Sequence, residues 1–113
     1  MTLIRSELIG FGHYLPAKVL TNDDMAKRVE TNDEWISTRT GIKSRHVAAE
    51  NEFTSDISLI AARNALKSAN ISAEDLDLII VATVTTDDTT PSTAAKISGK
   101  LGTKPCLLYT SPS

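Results

Sequence analysis

Cysteine is nearly absent: the chain of 113 residues holds one, Cys106. A single thiol cannot close an internal disulfide, and no Cys/His cluster of metal-binding spacing accompanies it. The expected compartment is therefore a reducing cytoplasm. Basic charge is not in excess either. Twelve Lys and Arg face fourteen Asp and Glu, a formal net charge of -2, which argues against a nucleic-acid partner, since phosphates call for a basic surface. No apolar run approaches the roughly 20 residues that cross a bilayer, so no membrane role is expected. The opening MTLIRSELIG lacks the apolar stretch of a secretory signal. Internal repeats and low-complexity segments are missing. What remains is ordinary: 41% hydrophobic and 23% charged residues, a balance that excludes a disordered chain. The length allows one domain at most, or a piece of a larger one.

The apolar pattern gives the order β-α-α-β-α-β-α. Leu3, Ile4, Leu8, Ile9 and Phe11 read as a strand that closes on Gly10 and Gly12. Glycine there allows close approach to a neighbouring backbone or a ligand. Tyr14-Leu15-Pro16 is irregular, because Pro16 keeps Leu15 out of the helical region. Thr21 or Asn22 caps a short helix through Val29, with Asp23 and Asp24 in its first turn. Thr31-Asn32-Asp33-Glu34 has the form of a capping box, so a second short helix runs from Asn32 to Thr38 or Arg39. Gly41 is placed to end it. Ile42 to Val47 reads as a short strand.

Thr54 or Ser55 caps a longer helix whose Ile57, Ile60, Ala61, Ala65, Leu66 and Ala69 share one face, ending near Asn70. Five apolar residues in succession, Leu78 to Ala82, suggest a strand buried on both faces. Thr90-Pro91 reads as a cap followed by proline at the first helical position, with Gly102 as the stop. Alternating strands and helices of this kind predict α/β architecture.

The last residues depart from that pattern. Cys106 to Ser113, CLLYTSPS, resembles the in-frame translation of an adaptor used in DNA library preparation. Such a tail stands outside fold reasoning. Two parts are expected: residues 1–105 as native chain and residues 106–113 as a non-native tail. The alternative is a native strand with Leu107, Leu108 and Tyr109 at its core.

The segment richest in chemistry is Thr31 to Ile42, TNDEWISTRTGI. On a helix Thr31, Trp35 and Arg39 lie four residues apart and share a face. An indole can stack on a purine and a guanidinium can pair with a phosphate. The plainer reading is a core or interface tryptophan with a neighbouring arginine stacked on it. The adjacent Asp87 and Asp88 read as solvated loop carboxylates, with no further hard ligands nearby to make a metal site.

T-N-D-E-W-I-x-x-R-T-G-I-x-x-R-H resembles the N-terminal signature of the β-ketoacyl-acyl-carrier-protein synthase III family. The resemblance extends from Gly10-x-Gly12-x-Tyr14-Leu15-Pro16 to Pro91-Ser92-Thr93-Ala94-Ala95 and Leu101-Gly102, covering residues 3 to 105. It implies a thiolase-like layered α/β fold of which only part of the N-terminal half is present. It implies a homodimer that takes acyl-CoA and malonyl-acyl-carrier protein and initiates fatty acid biosynthesis without a cofactor or metal. In such enzymes a cysteine carries the acyl group as a thioester, and a His and an Asn stabilise the charge that follows malonyl decarboxylation. By position, Trp35 matches the residue that stacks on the CoA adenine, and Thr31 and Arg39 match its neighbours at the nucleotide end.

No catalytic residue is assigned in this chain. The family's nucleophile lies past the next strand, in a small-residue motif at a helix start that lowers the thiol pKa. Cys106 comes too early and stands beside Pro105. The catalytic His and Asn also lie later, and His13 and His46 do not replace them. Thr90 occupies a position where relatives often carry a bulky apolar residue, which leaves the acyl-chain preference open. Such a chain by itself is expected to be inactive. Alternatives are another ketosynthase, a hydroxymethylglutaryl-CoA synthase-like acyltransferase, or a non-catalytic CoA- or nucleotide-binding module.

Overall fold

Residues 2–112 are described by the computed structural model. Along the chain run β1 (Lys18–Thr21), α1 (Asn22–Ala26), α2 (Asp33–Thr40), β2 (Ser44–Val47), α3 (Thr54–Ala69), β3 (Leu78–Ala82), α4 (Thr93–Leu101) and β4 (Leu107–Ser111), with a 3-10 turn at Ala73–Asp75. The mixture is α/β, as the alternation predicts. Two compact units divide the chain. One is Leu15–Glu52, and the other joins the residues up to Tyr14 with those from Phe53 onward.

In the unit Leu15–Glu52, β1 and β2 pair antiparallel, with Lys18 opposite Val47 and Thr21 opposite Ser44. β1 has no counterpart in the sequence reading, because four residues between Pro16 and a cap give too short a pattern. Thr21 caps α1: its hydroxyl accepts from the Asp24 N–H, and the Asp24 carboxylate accepts from the Thr21 N–H at 3.0 Å. α1 stops at Ala26 rather than Val29. α2 is capped by Asn32 and not by Thr31. The Asn32 side chain accepts from the Trp35 N–H at 2.8 Å. Asparagine is at least as good a cap as threonine, and this register makes Glu34 the second helical residue, so the box with Thr31 does not form. Gly41 ends α2 at φ 71°, a left-handed conformation that a side chain would strain.

In the other unit, α3 carries Ala61, Ala65 and Ala69 at intervals of four. The segment read as an opening strand forms no strand among the described residues, and its Gly10 and Gly12 stand against this alanine stripe. A Cβ added to Gly10 would stand 2.7 Å from the Ala69 Cβ, and one on Gly12 would run into the backbone at Ala61 and Ala65. The close approach expected of these glycines is thus to a helix. Asn64 Nδ2 donates to the His13 carbonyl at 3.1 Å and holds the two together. Phe53, rather than Thr54 or Ser55, is the residue before α3, and its N–H donates to the Asp56 carboxylate at 3.0 Å. Asn70 closes the helix at φ 56°.

β3 and β4 pair parallel, Leu78 with Leu107 through Ala82 with Ser111. A parallel pair needs a crossover, which α4 provides. Ser92 caps α4 by accepting from the Ala95 N–H at 3.2 Å, so the cap falls two residues later than Thr90. α4 packs on both strands, and its Ala94 and Ile97 are buried. β3 is covered on one side only. Ile79 and Val81 are half-buried, while Leu78 and Ile80 are 48% and 63% exposed, against the expectation of a strand buried on both faces. Two strands and two helices give one packed face and leave the other open.

Candidate nucleotide-binding site

All of this site lies within the unit Leu15–Glu52. Asn32 fixes the start of α2 and thereby the position of Trp35 in its first turn. The indole is 52% exposed, unusual for so large an apolar surface unless something covers it. Arg39 follows one turn later, with its guanidinium carbon 4.8 Å from the centre of the indole ring. The two side chains therefore meet, as the spacing predicts, and they meet as a cation–π pair.

Beside the indole opens a cavity of about 550 Å³, walled by Met25, Val29, Glu30, Thr31, Asn32, Trp35, Ile36 and Arg45. Its volume falls in the range that takes a small-molecule ligand. Met25, Val29, Ile36 and the indole make the lining largely apolar. Thr31 precedes the helix instead of riding on it, yet it lines the same cavity as Trp35. Its hydroxyl oxygen is buried and meets no hydrogen-bond partner among the described residues. An orphaned buried polar atom of this kind costs stability. Arg39 stands over the indole and is not one of the cavity walls.

Two residues of the site escaped the sequence reading. Arg45 lines the cavity, its Nη1 donating to the Leu20 carbonyl at 3.3 Å and its Nη2 to Asn22 Oδ1 at 2.7 Å. Asn22 is buried to 1% exposure. Nothing in a lone T-N dipeptide distinguishes a surface cap from a buried amide. On the α2 side of this network, the Asp33 carboxylate accepts from Asn22 Nδ2 at 2.7 Å and from the Ser37 hydroxyl at 3.0 Å. The Asn22 amide, with the Ser37 hydroxyl second, holds the Asp33 carboxyl below the usual carboxylate range.

Other chemistry-bearing residues are occupied elsewhere. His46 Nδ1 makes a hydrogen bond to the Pro16 carbonyl at 2.6 Å. Asp87 accepts from the Ser55 N–H and hydroxyl, and both Asp87 and Asp88 face the Lys96 ammonium. Among the described residues, no group of three or more His, Cys, Asp and Glu could hold a metal ion. Cys106 is half-buried, with its sulfur 3.8 Å from the Thr103 hydroxyl. Among the described residues, no helix is long and apolar enough to cross a membrane.

No protein-family profile matches the chain. Individual proteins do. The β-ketoacyl-acyl-carrier-protein synthase III of Rhodospirillum centenum is 57% identical over 99 residues, which is 88% of this chain and 31% of that protein. The crystal structure of 3-oxoacyl-acyl-carrier-protein synthase III from Aquifex aeolicus is similar at a TM-score of 0.84 and 48% identity, covering 93% of this chain and 34% of that one. The priming β-ketosynthase of a polyketide biosynthetic pathway is similar at a TM-score of 0.85 and 30% identity, covering 94% of this chain and 32% of that one. The chain thus spans about a third of the length of the proteins it matches. Its fold is the thiolase-like α/β fold of these ketosynthases over that stretch.

Proposed function

We propose, from the premise that this chain belongs to the β-ketoacyl-acyl-carrier-protein synthase III family, that it contributes the nucleotide-binding face for acyl-CoA in such a synthase. Trp35 stacks on the adenine, the Thr31 hydroxyl takes a hydrogen bond from or to the nucleotide, and Arg39 pairs with a phosphate. The observation that carries this reading is the exposed indole of Trp35 on the wall of a cavity that Thr31 also lines. The whole synthase would act as a cytoplasmic homodimer without a metal and condense the acyl group with malonyl-acyl-carrier protein. This stretch binds and orients the donor. The nucleophilic cysteine and its His and Asn partners belong to other parts of such an enzyme, and residues 106–113 are read as a non-native tail even though Leu107–Ser111 pairs with β3.

The test is Trp35→Ala in the full-length synthase, assayed with acetyl-CoA and with acetyl-pantetheine, which lacks the nucleotide. Lost stacking is worth about 0.5–1.5 kcal/mol beyond lost contact area, and it acts far from the reacting thioester. It should raise KM for acetyl-CoA and leave acetyl-pantetheine unaffected. Equal losses with both donors would make Trp35 structural and sink the reading. The likeness to a polyketide priming ketosynthase supports a second reading in which the acceptor differs. The nucleotide face would serve either enzyme, and product analysis with malonyl-acyl-carrier protein separates them.

A further inference from the structure

Behind the proposed nucleotide face, α2 is held by one buried amide. Asn22 Nδ2 donates to Asp33 Oδ1 at 2.7 Å and to the Ile42 carbonyl at 2.8 Å, and Oδ1 accepts from Arg45 Nη2 at 2.7 Å. Its backbone N–H donates to the Lys43 carbonyl at 3.2 Å. Both amide hydrogens and the amide oxygen are therefore committed, at 1% exposure. The amide reaches the first residue of α2, the chain just after Gly41, and β2.

Two of these links lead to the cavity. Asp33 and Ser37 lie one turn apart on α2, and both are within hydrogen-bond distance of Asn22 Nδ2. Trp35 is two residues past Asp33, about 200° around a helix of 3.6 residues per turn. Fixing the Asp33 side therefore fixes which way the indole faces. Arg45, the second link, is a cavity wall. The geometry points to Asn22 as a positioning residue for nucleotide binding, setting the rotation of α2 through Asp33 and the opposite wall through Arg45. This inference rests on the acyl-CoA reading above.

The chemistry requires an amide at this place. A carboxylate at position 22 would still accept from Arg45, but it would face the Asp33 carboxylate and the Ile42 carbonyl with no hydrogen to give. An apolar residue would take one hydrogen-bond partner from each of Asp33 and Arg45 and leave the Ile42 carbonyl without its amide donor.

The full-length synthase is assayed with acetyl-CoA and acetyl-pantetheine as Asn22→Asp, Asp33→Asn, the double variant and Trp35→Ala. Asn22→Asp should lower kcat/KM about tenfold with acetyl-CoA, and by no more than about twofold with acetyl-pantetheine. The double variant should recover only part of the acetyl-CoA loss, because the new amide at position 33 donates to the new carboxylate at position 22 while the Ile42 carbonyl still lacks its donor. It also carries the test if Asn22→Asp does not fold. Equal losses with both donors, or a double variant no better than Asn22→Asp, would overturn the proposal. If Trp35→Ala discriminates between donors while Asn22→Asp does not, the acyl-CoA reading stands and the positioning role falls. If Trp35→Ala does not discriminate, the acyl-CoA reading fails and the positioning role fails with it.

Discussion

The guanidinium of Arg39 stands 4.8 Å from the centre of the Trp35 indole, one turn further along α2. The indole is 52% exposed with this cation over its ring. On the proposed reading Arg39 would brace the indole and meet a phosphate. Arg39→Ala in the full-length synthase should raise KM for acetyl-CoA by the loss of a charge-assisted contact, about 1.5–3 kcal/mol. Arg39→Lys should recover only part of this, since an ammonium does not stack flat on the ring. Steady-state KM values for the three forms check this. Full recovery with lysine would leave only a charge effect.

The chain of 113 residues should not take up an acyl group. Its single thiol, Cys106, has the Thr103 hydroxyl 3.8 Å away and no imidazole among its described hydrogen-bond partners, and covalent catalysis needs an activated nucleophile. Mass spectrometry after incubation with acetyl-CoA should show unmodified protein. A stable adduct that disappears in Cys106→Ser would contradict this.

Isolated, the same chain should associate or unfold without a sharp transition. Leu78, Ile80, Leu107 and Tyr109 on the β3–β4 pair are 48%, 63%, 71% and 59% exposed. Open apolar strands recruit other chains. Calorimetry and light scattering should show a broad transition and oligomers. A monomer that melts cooperatively would instead support a freestanding binding module.

Acid should loosen α2. Asp33 has a folded-state pKa below its ordinary value because the Asn22 amide and then the Ser37 hydroxyl favour its charged form. A depressed carboxyl pKa gives stability that is present above the unfolded value and is lost as pH falls through the folded one. Asp33→Asn removes that titration. Urea midpoints of the full-length synthase measured across the acid range should fall less steeply for Asp33→Asn than for the parent. Parallel slopes would show that Asp33 titrates alike in both states.

How much of this was legible in the sequence depends on how local the cause is. Gly41, Asn70 and Gly102 end their helices where the pattern placed them, because a left-handed cap is a property of one residue and its turn. Thr31 and Thr90 were read as caps, yet Asn32 and Ser92 hold those positions. Neighbouring polar residues compete for one role, and only the backbone register decides between them. Leu3 to Phe11 carries a strand's composition, but a strand also needs a partner, and its glycines report the approach of α3 instead. Trp35 and Arg39 meet as their spacing predicted. Asn22 and Arg45 could not be found this way, because their contacts span 23 residues and leave no periodic trace.

On the proposed function, a CoA adenine lies on Trp35. A crystal structure of the full-length synthase with bound CoA tests it most directly. The adenine should stack on the Trp35 indole, with Thr31 at the nucleotide and the Arg39 guanidinium against a phosphate. An adenine bound away from α2, with the cavity beside Trp35 holding only water, would contradict it.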